Sequence, residues 1–87
     1  MKTIQSVIGM NLKYYRYKSG MSQEKFYEQF GLNAKYLASI ERGEVNVSVE
    51  FLYNLAKLLK VDIREFFNPD ESRIIKDKRI DSVKKED

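Results

Sequence analysis

Apolar residues recur at intervals of three and four along the first 67 positions, which is the spacing of one face of an α-helix. A first helix is expected from about Ile4 to Ser19, ending at Gly20, with Ile8, Leu12 and Tyr15 as its buried stripe. Ser22 can cap a second helix from Gln23 to Phe30, with Glu24 in its first turn and Phe26 and Phe30 turned inward. Gly31 then supplies the left-handed residue that ends it. Asn33 can cap a third helix that ends near Arg42–Gly43 and buries Leu37 and Ile40. Ser48 can cap a fourth, "VEFLYNLAKLLK", with Leu52, Leu55, Ala56 and Leu59 inward. "VDIREFF" starts a short fifth helix, where Asp62 and Glu65 have capping-box spacing and Phe66 enters the core. There is one Pro and neither an Asn-Gly nor an Asp-Gly pair, so strand and hairpin signals are missing. The expected fold is all-α: a five-helix bundle over residues 1–67. Residues 68–87 form a charged tail after Asn68-Pro69. Its four apolar residues, Ile74, Ile75, Ile80 and Val83, make no clean stripe. The tail is either disordered or a helix ordered by a second subunit.

The third helix has an unusual outer side. At 100° per residue, Ala34, Lys35, Ala38, Ser39 and Arg42 span an arc of roughly 140°. This side is short, holds two cations and has no acid, whereas solvated helices normally mix both signs. A helix entering the DNA major groove, about 12 Å wide, needs such a face. Each residue also has an ordinary reading. The alanines form helix well, the two cations suit water, and Ser39 can bond back to its own helix. Spacing strengthens the groove reading. With Gln23 as position one, Phe26, Phe30, Leu32, Leu37 and Ile40 fall at positions 4, 8, 10, 15 and 18, and Gly31 at position 9. These are the wedge and turn positions of two helices crossing near a right angle. A plain αα-hairpin would meet the apolar spacing more loosely and would not need that Gly.

Composition narrows the function. The 87 residues contain no Cys and no His, which removes disulfides, Cys/His zinc sites, thiol nucleophiles and His-based acid–base catalysis. An enzyme is not expected, nor a cofactor or small-molecule ligand. No apolar run reaches the ~18 residues of a membrane span, and the N-terminus lacks a signal-peptide cleavage site, so the cytoplasm follows. Residues 1–67 hold ten Lys/Arg against seven Asp/Glu, and residues 68–87 six of each. The positive excess therefore lies in the bundle, which suits a polyanion. The aromatic and basic run "YYRYK" at 14–18 suits core packing and surface cover better than stacking on bases.

Residues 8–67 resemble the Cro and phage-repressor (XRE) family of helix-turn-helix domains. The segments that carry the likeness are "IGMNLKYYR", "SGMSQEKF", "FGLNAKYLASIERG" and "LYNLAKLLKVDIREFF". "RGEVNVSVEFL" is similar to the restriction–modification controller branch, which accepts an apolar residue such as Val47 where others have Pro. The resemblance implies a lambda-repressor-like fold and a role in binding double-stranded DNA. Gln23 would bond a phosphate through its side chain and the helix N-terminal amides. Asn33, Ala34, Lys35 and Ser39 would face bases, and Tyr36, Arg42 and Asn46 would grip the backbone. Arg16 and Glu41 match an internal salt bridge between helices one and three. Tyr27 departs from the family's usual Ala at position 5, so its ring is expected to swing outward or shift the crossing. Three or four base contacts, each giving ~1–3 kcal/mol, are too few for a genome. A homodimer on a palindromic operator is therefore expected, with half-sites about 34 Å apart and Ile63, Phe67, Ile74 and Ile75 at its interface. The alternative is a helix-turn-helix module that binds a protein partner, as antitoxins and coactivators do.

Overall fold

The computed structural model describes residues 3–73. It contains α1 (Ile4–Ser19), α2 (Gln23–Glu28), α3 (Ala34–Glu41), α4 (Val49–Leu59) and a closing 3-10 segment, Ile63–Phe67. No strand occurs among the described residues. The class is all-α, but the fifth element is not an α-helix. Only five residues separate its cap, Asp62, from Asn68, which is extended at φ −72° and ψ 118°. Asn68 precedes Pro69, and the proline ring disfavours helical backbone at the residue before it. The segment closes before an α-turn can propagate. The expected Asp62–Glu65 capping box does not form either. Asp62 Oδ1 accepts from the Arg64 N–H at 2.8 Å, and Glu65 is drawn to Tyr15 instead. A capping box occurs at α1, where Thr3 and Ser6 each accept the other's backbone N–H at 3.1 Å.

Helix α1 packs against α2, α3 and the 3-10 segment, so it is buried around much of its circumference. Val7, Ile8, Gly9, Asn11, Leu12, Arg16 and Tyr17 are all buried, covering roughly three-quarters of a turn at 100° per residue. Tyr15, expected in the core, is only half-buried near the helix end, and Tyr17 is the buried tyrosine. The main core joins Ile8 and Leu12 to Phe26, Tyr27, Leu37, Ile40, Leu52, Leu55, Ala56 and Phe66.

Gly9 sets how closely α1 meets α3. A Cβ there would overlap the Ile40 carbonyl oxygen and lie 2.6 Å from that of Glu41. Glycine inside a helix costs roughly 1 kcal/mol relative to alanine, and here it permits backbone-to-backbone contact.

Past Pro69 the chain returns to α1. Arg73 donates to Asn11 Oδ1 at 2.9 Å, the Tyr15 hydroxyl at 3.1 Å and Glu65 Oε1 at 3.0 Å, and its guanidinium lies 4.2 Å from the Tyr14 ring centre. Fully buried Asn11 also donates to the carbonyls of Val7, Phe66 and Asn68. The packed unit therefore continues beyond residue 67, and Tyr14 and Tyr15 cradle an arginine. Ile74 and Ile75 lie outside the described residues.

Candidate nucleic-acid interface

The α2–α3 unit is built from local caps. Ser22 Oγ accepts from the Lys25 N–H, and Asn33 Oδ1 from the Tyr36 N–H at 3.1 Å. Helix α2 stops two residues earlier than expected because its last turn tightens: the Phe30 N–H bonds the Tyr27 carbonyl at 3.1 Å. Gly31, at φ 70°, then lets its own N–H reach the Glu28 carbonyl while the Leu32 N–H reaches that of Tyr27. This is the Schellman pattern, and it needs the left-handed residue. The chain reverses, and Phe26, Leu37 and Ile40 are buried in the wedge, with Phe30 and Leu32 half-buried beside them.

The outer side of α3 is narrower than its sequence suggests. Ala38 is only 8% exposed, and Ala34 packs against the core. Asn33, Lys35, Tyr36 and Arg42 are exposed and Ser39 is half-buried. The Ser39 hydroxyl donates to the Tyr36 carbonyl at 2.6 Å, the back-bonding geometry. Tyr36 is braced edge-on by Phe51, with ring centres 5.5 Å apart. Lys35 forms no ion pair among the described residues. The acid of α3, Glu41, points inward and is 5% exposed.

Glu41 joins three helices. Arg16 bonds it through two nitrogens, Nε to Oε2 at 2.7 Å and Nη2 to Oε1 at 2.8 Å. Gln23 Nε2 donates to Oε1 at 2.9 Å, and the Tyr27 hydroxyl donates to Oε2. The Tyr27 ring thus turns inward, which excludes the outward swing of the two alternatives. It is fully buried because its hydroxyl finds a carboxylate at the end of the cavity. Burial first, and then Glu41's charge, push the Tyr27 phenol far above its ordinary range, so it stays a protonated donor. Burial opposes charge on Arg16, but its hydrogen bonds to Glu41 and the nearby negative charge together outweigh this and raise its affinity for a proton. Gln23, expected at a phosphate, spends one amide hydrogen on Glu41 and keeps a second, since a carboxamide nitrogen carries two.

The edge beyond α3 is polar and open. Arg42 Nε bonds Glu44 Oε2 at 2.9 Å, and both side chains are more than half exposed. Asn46 accepts from Gln5 near the start of α1. Glu44 and Gln5 were not anticipated as neighbours of this edge. The left-handed Gly43 between Arg42 and Glu44 was the available signal, since it folds residue 44 back toward the helix end. Ile63 packs on the core of its own chain, whereas Phe67 remains 41% exposed.

A tight α2–turn–α3 unit whose second helix presents an outward side without an acid defines a helix-turn-helix protein. A family model described as helix-turn-helix matches residues 12–66, and the chain belongs to the Cro/C1-type (XRE) family of DNA-binding transcriptional regulators. It is 35% identical over 66 residues to the HTH-type transcriptional regulator y4dJ of Sinorhizobium fredii, covering 76% of this chain and 86% of that protein. It is 37% identical over 60 residues to the control protein C.SmaI of Serratia marcescens, covering 69% and 71% respectively. It is 35% identical over 63 residues to the HTH-type transcriptional regulator SlrR of Bacillus subtilis, covering 71% of this chain and 41% of SlrR. No solved structure matches the chain significantly. Among the described residues, no helix is long and apolar enough to cross a membrane.

Proposed function

We propose that the protein is a sequence-specific regulator that binds a palindromic operator as a homodimer, with α3 in the major groove of each half-site. The observation that carries this reading is the burial of Leu37, Ile40 and Glu41 on one side of α3 while Lys35 and Arg42 stay exposed on the other and Tyr36 is exposed on the flank. Lys35 reads a base edge, with guanine O6/N7 its natural partner, and Asn33 and Ser39 flank it. Ala34 offers a methyl at the start of the helix. Tyr36, Arg42 and Asn46 hold the backbone, and Gln23 reaches a phosphate with its second amide hydrogen. The two subunits meet through Phe67 and Ile63, with Ile74 and Ile75 of the tail.

Selection of bound duplexes from random DNA tests this reading. A palindrome with half-sites about one helical turn apart is expected. On the recovered site, Lys35→Ala should relax base preference at one position. Arg42→Ala should weaken all duplexes alike and flatten the salt slope by ~1. Selection that enriches no sequence, with both variants behaving like the parent, rules the docking out.

A further inference from the structure

The edge that follows α3 carries an acid where the docking above needs a cation free for phosphate. We propose that Glu44 is an affinity-setting counter-charge on the DNA-facing edge, which holds Arg42 in the free protein and yields it to a phosphate on binding. The inference rests on the docking reading and extends it to a residue that reading does not use.

The position of Glu44 is built into the backbone. Gly43 sits at φ 74°, and its N–H bonds the Ile40 carbonyl at 2.9 Å while the Glu44 N–H bonds that of Ser39 at 3.1 Å. Together these close a second Schellman turn. A Cβ on Gly43 would lie 3.0 Å from Ser6 Cα, so α1 backs the turn from behind. Residue 44 is thereby returned to the end of α3, within 2.9 Å of Arg42 Nε.

Chemistry decides what this arrangement does. Arg42 presents five N–H donors, and one of them is directed at Glu44. A carboxylate and a phosphate bring the same charge to the same guanidinium, so they compete for it. Both partners are exposed, which makes the pair weak in water and readily exchanged. Glu44 also lies well within a Debye length, about 8–10 Å at ordinary salt, of any phosphate on Arg42, and it repels that phosphate. The hydrogen bond from Arg42 holds the Glu44 carboxyl below its usual range, so the counter-charge is fully present at neutral pH. Backbone contacts carry no sequence information directly. Glu44 therefore sets how tightly DNA is held and leaves base choice alone.

The test compares the full chain with Glu44→Gln, Arg42→Ala and the double variant. Each is titrated onto the selected duplex and a scrambled duplex at several salt concentrations. Glu44→Gln should tighten both duplexes by about threefold to tenfold at low salt, by similar factors, with a steeper salt slope. In the Arg42→Ala background most of this gain should vanish. Unchanged or weaker binding by Glu44→Gln overturns the proposal, because it makes Glu44 neutral or an orienting group for Arg42. An undiminished gain without Arg42 also overturns it, by reducing the effect to net charge. A parent chain that binds neither duplex removes the docking reading and this proposal together. Binding that persists with no effect of Glu44 removes this proposal alone.

Discussion

Two glutamates three residues apart, Glu41 and Glu44, each pair with an arginine and serve opposite ends. The Glu41 carboxylate has room for about four hydrogen bonds and receives four, from Arg16 twice, Gln23 and Tyr27. Its side chain and that of Arg16 are 1% and 6% exposed. Those of Glu44 and Arg42 are 55% and 56% exposed, and one contact joins them. Burial makes the first pair costly to break, because either charge left alone would sit in a low-dielectric interior. Water makes the second easy to exchange. The turn at Gly43 separates a joint that ties α1, α2 and α3 together from an edge that can trade partners.

The largest expected effect comes from breaking the buried side. Glu41→Ala strands the Arg16 guanidinium, the Tyr27 hydroxyl and the Gln23 amide together. Removing one partner of a buried pair costs about 3–5 kcal/mol, a large share of the roughly 5–15 kcal/mol that holds a domain folded. Urea unfolding should show a midpoint far below that of the parent. A loss below ~1 kcal/mol would mean the carboxylate is solvated, and the contrast with Glu44 would disappear.

A smaller change sharpens the same point. Tyr27→Phe keeps the buried ring and removes only the hydroxyl, so the expected loss is that of a hydrogen bond to a charged group, about 1.5–3 kcal/mol. Its pH dependence has a definite sign. The folded-state pKa of Tyr27 is raised, so its contribution is complete below the unfolded value near 10 and is lost as pH rises beyond it. Stability of the parent should fall by about 1.4 kcal/mol per pH unit there. Tyr15, also raised, first by burial, adds a lesser slope in both proteins. Urea midpoints measured from about pH 9 to 11 should converge between parent and Tyr27→Phe, and curves that stay parallel would place the hydroxyl in water.

Helix limits were legible where a cap states its own chemistry. Ser22, Asn33 and Ser48 each accept a backbone N–H from the helix they start, and Gly20, Gly31 and Gly43 all adopt positive φ. Legibility failed where side chains answer to more than one element. Tyr15 and Tyr17 cannot be ranked by the spacing of one stripe when α1 is packed on several sides. The size of the Tyr27 ring at a close helix approach does not fix its direction, whereas its hydroxyl bond to Glu41 does. The Asp62 box failed because Glu65 had a better partner across the chain in Tyr15 and Arg73. On α3, the residue types of the outer side were legible, but the burial of Ala38 depends on neighbours that no local pattern names. Glu44 joined the edge through a turn, not through helical spacing.

The smallest expected effect lies on the exposed side. At neutral pH, Glu44→Gln should unfold at the same urea concentration as the parent, at low and at high salt alike, since an exposed pair contributes little even before screening. In contrast, salt near 1 M shortens the Debye length to about 3 Å and should leave the Arg16–Glu41 joint intact, because no ions enter it. Any small difference between the two proteins should vanish in acid. The Glu44 carboxyl is held low by the hydrogen bond from Arg42, so whatever the pair adds is present above the ordinary carboxyl pKa of 4.5 and lost as pH falls through the lower folded value. A destabilisation of Glu44→Gln at neutral pH comparable to that of Tyr27→Phe would make residue 44 part of the joint. The division between a fixed interior pair and an exchangeable outer one would then fail at its weaker member.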